Sequence, residues 1–151
     1  MSFAGKTAVV TGGSRGLGRA VCRLLAAEGA NVVFCYAGNA AAAQETVREL
    51  EALGAQVRAV QADISDPSAV KLLMDTAVRD FGRIDILVNN AGITRDGLAM
   101  TMKEADFDAV IATNLRGVFL CMKAAARLML RQKYGRIVSI SSVVGVHGNA
   151  G

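Results

Sequence analysis

Proline occurs once in the 151 residues, tryptophan not at all, and aromatic residues make up 5% of the chain. With so little proline, no polyproline stretch or proline-rich linker can divide the chain, which argues for one continuous fold. Cysteine is also scarce. Cys22, Cys35 and Cys121 stand in apolar surroundings, odd in number and without metal-ligand spacing, so reduced structural thiols are expected and no metal site is assigned. No run approaches 18 uninterrupted apolar residues, and Met1 to Lys6 carries no basic stretch followed by an apolar one, so neither a membrane span nor a signal peptide is read and the cytoplasm is expected. Charge of one sign is not concentrated. The net charge is +4, with basic residues scattered and no interleaved aromatics, which excludes a nucleic-acid-binding surface and stays compatible with an acidic partner or a phosphorylated cofactor.

What is present is 52% hydrophobic residues and 16 glycines. That mix fits one α/β domain large enough to bury roughly 70% of its unfolded surface. The glycines have a focus. Thr11-Gly12-Gly13-Ser14-Arg15-Gly16-Leu17-Gly18 follows the apolar run Thr7–Val10 and opens a helical pattern, with Leu17, Val21, Leu24 and Leu25 as its apolar face. Glycines let a backbone pass close to a pyrophosphate, and a helix N-terminus offers N–H donors and partial positive charge.

Strands and helices then alternate. Asn31–Tyr36 is a second strand after Gly29. A helix spans Asn39–Leu53 with Ala43, Val47 and Leu50, and Gln56–Gln61 is a third strand. Asp66-Pro67 reads as an N-cap and first helical residue, before a stripe of Val70, Leu73, Met74, Ala77, Val78 and Phe81 closed by Gly82. Ile84–Asn89 is a fourth strand. Such alternation predicts a doubly wound, Rossmann-like parallel sheet with helices on both faces, over residues 1–151 and ending after a fifth strand at Ile137–Ser142.

No Asp or Glu occurs from Val32 to Ala43, where an NAD site carries an acidic residue for the ribose. With Arg15 in the loop, this favours NADP(H); the alternative for Arg15 is a solvated loop charge. Asn89-Asn90-Ala91-Gly92 ends the fourth strand at the sheet edge where ligands bind, its amides suited to backbone groups of neighbouring strands. Thr101-Met102-Lys103-Glu104 has capping-box form, ahead of a helix with Phe107, Val110, Ile111 and Leu115 on an apolar face that also carries Asn114.

The Thr-Gly-x-x-x-Gly-x-Gly loop and the Asn-Asn-Ala-Gly tetrapeptide together resemble the short-chain dehydrogenase/reductase family, and Asn89 to Asp96 looks like its 3-oxoacyl-[acyl-carrier-protein] reductases. The resemblance implies cofactor contacts from Gly12, Ser14, Arg15, Gly16, Leu17, Gly18, Asp63, Ile64, Asn90, Ala91 and Gly92. For Asp63 it implies an acceptor for the adenine amino group, against a local Asx turn. It also implies a relay water held by Asn114, against a plain backbone contact, and a substrate-binding Ser142. Further, it implies a homo-oligomer formed through helices at 103–131, one of them the apolar Val118–Leu130, and an acyl-carrier-protein or CoA thioester as substrate. A reductase of another small carbonyl compound, such as acetoacetyl-CoA, and a non-catalytic dinucleotide-binding module are the alternatives. The family's Tyr-x-x-x-Lys is not among the 151 residues, whose tyrosines are Tyr36 and Tyr134, so the chain by itself is expected to be inactive. Lone His147 reads as a loop residue. Arg127, Arg131, Lys133 and Arg136, close in sequence to Ser142, read either as cations at a helix C-terminus or as a patch steering an acidic carrier to the serine.

Overall fold

The computed structural model describes residues 3–149. Five strands, β1 (Thr7–Val10), β2 (Asn31–Tyr36), β3 (Val57–Gln61), β4 (Ile86–Asn89) and β5 (Arg136–Ser139), form one sheet in the order β3-β2-β1-β4-β5, every pair parallel. The strand order reverses at β1, so the loops after β1 and β4 diverge and leave a crevice at the C-terminal edge.

Alternation along β1 divides the core into two layers. Val9 points to one face with Val33 and Leu87, under α3 (Pro67–Phe81) and α5 (Val118–Gln132). Ala8 and Val10 point to the other with Phe34 and Leu50, under α1 (Gly16–Ala27) and α2 (Ala40–Ala52). Asn39 caps α2 by accepting from the Ala42 N–H at 2.9 Å, and Asp66 caps α3 by accepting from Ser68 at 2.9 Å, with Pro67 in its first turn and Gly82 at its end. All three cysteines are buried and free. Desolvation pushes the thiols of Cys22 and Cys121 up to about 12 and that of Cys35 to about 11, which keeps them neutral.

Several expectations are corrected. The buried residues of α1 are Gly18, Cys22, Leu25 and Ala26, whereas Leu17 and Leu24 are 71% and 65% exposed. Close approach of Gly18 to the Gly12 carbonyl sets the rotation of the helix, and residues 22, 25 and 26 follow on that face. β4 starts two residues late, because Gln132 takes both backbone groups of Ile84. β5 ends at Ser139, the partner of the last residue of β4, rather than at Ser142.

The capping box does not form. The Leu98–Thr101 turn draws the Thr101 hydroxyl to the Leu98 carbonyl, and α4 (Glu104–Ile111) begins after Lys103 with no side-chain cap. No residue of α4 is buried, and Phe107, Ile111 and Leu115 stand outward rather than in a core. A π-helical turn, Ala112–Gly117, joins α4 to α5, so that helix runs unbroken from Glu104 to Gln132. By length and composition it is the one helix among the described residues able to cross a membrane. It seats Cys121, Ala125 and Met129 in the core beside α3. A short α6 (Val144–His147) takes up His147, which the sequence left in a loop.

Candidate functional site

The loop from Thr11 to Gly18 is tied down from three sides. From β4, the Asn90 and Ala91 N–H groups donate to the Thr11 hydroxyl, each at 3.0 Å, and the Asn90 carboxamide donates to the carbonyls of Thr11 (3.0 Å) and Gly12 (3.2 Å). From β2, the Cys35 carbonyl accepts from the Gly13 N–H at 3.0 Å. From α2, the Thr46 hydroxyl lies 3.1 Å from the Ser14 carbonyl. These bonds use the adjacent amides as the sequence suggested for Asn90, while Asn89 donates instead to the Ser139 hydroxyl at 3.2 Å and leaves its buried Oδ1 without a partner.

So anchored, the loop lines a cleft of about 730 Å³ at the C-terminal edge of the sheet, within the size range of small-molecule sites. Gly12, Ser14, Arg15, Gly16, Leu17, Gly18, Asp63, Ile64, Asn90, Ala91 and Gly92 all lie on its wall, together with Tyr36–Asn39 and Thr113. The Arg19 N–H donates to the Arg15 carbonyl at 3.2 Å, so the N–H groups of Gly16, Leu17 and Gly18 precede the hydrogen-bonded ladder of α1. No acidic residue occupies the first turn of α1, and Arg15 stands at its N-cap. The donor set suits a phosphate-bearing ligand.

The two helix-facing glycines differ in what they allow. A Cβ on Gly18 would strike the Gly12 carbonyl, so this position is closed by the protein itself. A Cβ on Gly16 would meet nothing within 4 Å, and the residue has φ +56, so the space above it opens into the cleft. This is the cradle that a dinucleotide pyrophosphate needs, and the residues present fit that group. Asp63 makes the local Asx turn, its Oδ1 accepting from the Ser65 N–H (2.9 Å) and hydroxyl (2.8 Å), and the residue lies on the cleft wall.

Asn114 is exposed rather than buried, and its carboxamide makes the backbone contact. Oδ1 accepts from the Ile93 N–H and Nδ2 donates to the Ile93 carbonyl, both at 2.9 Å. The π-turn carries this side chain to within 3.4 Å of where a Cβ of Gly92 would lie, an ordinary contact distance. Ser142 does not line the cleft; it is exposed beyond β5, with its hydroxyl accepting from the Val144 N–H at 3.1 Å.

Tyr36, the last residue of β2, lies on the cleft wall. Tyr134 lies at the other end of the sheet, its ring under Lys6 at 4.0 Å and Arg136 at 5.2 Å. The same geometry corrects the placement of the basic cluster. Lys133 caps α5 with φ 54, and Arg136 opens β5, so both are at the N-terminal edge while Ser142 follows the C-terminal end of that strand. Nearness in sequence is not nearness in space here, because an extended strand carries the chain across the sheet at about 3.3 Å per residue.

Three anchoring residues carried no assignment from sequence: Thr11, Cys35 and Thr46. Thr46 had a visible signal, a hydroxyl in phase with Ala43 and Leu50 on the buried face of α2.

Residues 6–151 match the short chain dehydrogenase family. Over 146 residues, 97% of the chain, it is 51% identical to the 3-oxoacyl-[acyl-carrier-protein] reductase FabG of Staphylococcus aureus and equally so to a 3-oxoacyl-[acyl-carrier-protein] reductase of Synechocystis. In each case it spans 59% of the relative's length. Among solved structures, a short chain dehydrogenase from Burkholderia cenocepacia in complex with NADP superposes with a TM-score of 0.93 at 43% identity, covering 100% of this chain and 61% of that one. NAD⁺-bound xylitol dehydrogenase superposes with a TM-score of 0.94 at 34% identity, covering 99% and 58%. A parallel sheet in this order, a pinned glycine loop opening on a cleft, and these likenesses agree: the chain belongs to the short-chain dehydrogenase family.

Proposed function

We propose that this chain forms the cofactor-binding part of an NADPH-dependent reductase that converts a 3-oxoacyl thioester, carried on acyl carrier protein, to the 3-hydroxyacyl thioester. The observation that carries the cofactor reading is the rim of the cleft. Arg15 stands at the turn into α1, and Tyr36–Asn39 contributes no carboxylate that would repel a 2′-phosphate. The fold does not make this choice, since both an NADP complex and an NAD⁺ complex superpose on it closely. The substrate reading rests on the likeness to the two 3-oxoacyl reductases.

Bound NADPH would supply the hydride for the carbonyl carbon. The chain's own residues hold and orient. Gly16, Leu17 and Gly18 offer backbone donors to the pyrophosphate, Arg15 a charge to the 2′-phosphate, and Asp63 and Ile64 flank the adenine end. Asn90, Ala91 and Gly92 form the wall beside the nicotinamide ribose. Asn114 keeps one lone pair and one N–H beyond its bonds to Ile93, enough to hold a relay water. Ser142 would donate its hydroxyl proton in a hydrogen bond to the substrate carbonyl. A general acid is still needed.

A second reading, a dinucleotide-binding module without turnover, is favoured for the 151 residues by the positions of their tyrosines: Tyr134 is tied up with Lys6 and Arg136 away from the cleft, and Tyr36, though on the cleft wall, ends β2, three strands from the β5 that leads to Ser142. Exposed Phe107, Leu115, Phe119 and Leu130 on the α4–α5 helix supply an apolar face for a homo-oligomer, and the cytoplasm is the compartment we assign. Titration of the purified chain with NADPH and NADH tests the proposal. NADPH should bind at least tenfold more tightly, and reduction of acetoacetyl thioesters by the chain alone should stay at background. Equal affinity for the two cofactors overturns the NADPH assignment, and turnover by the chain alone overturns the need for an additional acid.

A further inference from the structure

Among the described residues two threonines are buried in mid-helix, and they differ in one respect. Thr76 of α3 satisfies its hydroxyl within its own helix, donating to the Leu72 carbonyl at 2.8 Å. Thr46 of α2, with no exposed surface, lies 3.1 Å from the equivalent carbonyl of Ala42 and also 3.1 Å from the carbonyl of Ser14, 32 positions earlier in the chain. A threonine hydroxyl has one proton to donate. The back-bond to Ala42 would suffice for the threonine, so the second contact serves Ser14, which is itself buried at 8% exposure.

From this we infer that Thr46 is a positioning residue for the cofactor loop: its hydroxyl holds the Ser14 carbonyl and thereby fixes the direction in which Arg15 leaves the loop. The inference rests on the proposed cofactor reading and deepens it by naming what sets the 2′-phosphate preference behind the residue that would touch the phosphate. The other two anchors of the loop, Asn90 and Cys35, act on Thr11, Gly12 and Gly13. Ser14 leads directly into the Arg15 N-cap, so a slack Ser14 alters Arg15 before it alters the pyrophosphate cradle. The ion pairs between the same helices, Arg19 with Glu49 at 2.7 Å and with Glu45 at 3.2 Å, are partly exposed and bear on α1 beyond the loop. They tie the helices together without contacting Ser14.

The experiment compares Thr46→Val, which keeps the shape and removes the hydroxyl, with Thr46→Ser, which keeps the hydroxyl, and with Glu45→Ala, which loosens the α1–α2 pairing alone. Dissociation constants for NADPH and NADH are measured by fluorescence titration, alongside Tm. Thr46→Val should lower the NADPH-over-NADH preference about fivefold, the worth of one hydrogen bond. Thr46→Ser should restore the preference, and Glu45→Ala should leave it unchanged even if Tm falls. An unchanged preference in Thr46→Val, or a loss equal for both cofactors and tracking Tm across all three variants, overturns the inference. A wild-type chain with no preference for NADPH refutes the cofactor reading instead, so the two failures are distinguishable.

Discussion

The two edges of the sheet are built from similar side chains and put to opposite use. At the N-terminal edge, Asp85 is fully buried and its carboxylate is consumed by the protein: Thr7 donates its N–H at 2.9 Å, Arg83 donates through Nε at 2.7 Å and Nη2 at 2.6 Å, and Lys6 stands 3.6 Å away. Burial alone would raise the pKa of Asp85, but the Arg83 fork, the Thr7 N–H and the nearby Lys6 outweigh it and hold the carboxyl below its ordinary range. Gln132 closes the same edge by bridging both backbone groups of Ile84. At the C-terminal edge, the Thr11 hydroxyl is spent on the Asn90 and Ala91 N–H groups and the Asn90 and Thr46 side chains on loop carbonyls, which leaves helix N–H groups and an arginine around the cleft. One edge closes on itself and the other is held open. Stability should therefore reside in the first and binding in the second, and substitutions should separate them.

The largest effect is expected from Asp85→Ala, which strands a partly buried arginine and an unpaired Thr7 N–H. It should cost up to about 3 kcal/mol of stability, chiefly through the unpaired buried Thr7 N–H, read as a fall in Tm and in denaturant midpoint, while the protein that remains folded keeps its affinity for NADPH. The sign of the pH dependence follows from the depressed pKa. The stabilisation from Asp85 is complete above the unfolded-state value of about 3.9 and is lost as pH falls from there through the folded-state value. Asp85→Asn should flatten that acid limb. A wild-type acid limb preserved in Asp85→Asn would assign the titration to another carboxylate, such as Asp80, which Arg79 and Arg58 also hold low.

Next comes Gly16→Val, the reverse case. A Cβ there meets no protein atom within 4 Å, so the new side chain enters the cradle, and the residue must adopt a positive φ. NADPH affinity should drop by about a hundredfold or more, roughly 2.7 kcal/mol, with a smaller loss of stability in chemical denaturation. If the fold is lost while the surviving fraction binds normally, the division between the edges fails. The smallest effect, and the most selective, is expected from Arg15→Ala. Loss of a charge-assisted bond of about 1.5–3 kcal/mol should weaken NADPH ten- to a hundredfold and leave NADH unchanged. Calorimetric titration with both cofactors reads this directly, and equal weakening of both would move Arg15 from the 2′-phosphate to the loop's own structure.

Much of this was legible in the residues. Strand and helix alternation, the cap at Asp66, and the glycine spacing are local patterns, and local patterns are governed by backbone geometry within a few residues. Eleven residues assigned to the cofactor from three separate segments came together on one cleft wall because a parallel sheet brings all its strand ends to one edge. Helix orientation was less legible. Leu17 and Leu24 satisfied a helical period yet face outward, since periodicity gives a stripe but a steric contact, Gly18 against Gly12, chose which stripe turns inward. Phe107, Ile111 and Leu115 matched the same period on a helix with no buried residue, a pattern that cannot say what, if anything, covers it.

By itself, then, the sequence determined the order of elements, the parallel sheet, the phosphate-type loop and the absence of an acidic residue after the second strand, all of which depend on residue type and short-range spacing. Tertiary structure alone decided which carbonyls Thr46 and Asn90 hold, that Asp85 locks the opposite edge, that Asn114 pairs with Ile93, and that Lys133 lies across the sheet from Ser142. Apart from Asn114, brought to its place by the π-turn, the contacts join residues 32 to 79 positions apart. Such contacts depend on how strands stack and helices rotate, and no local periodicity encodes that.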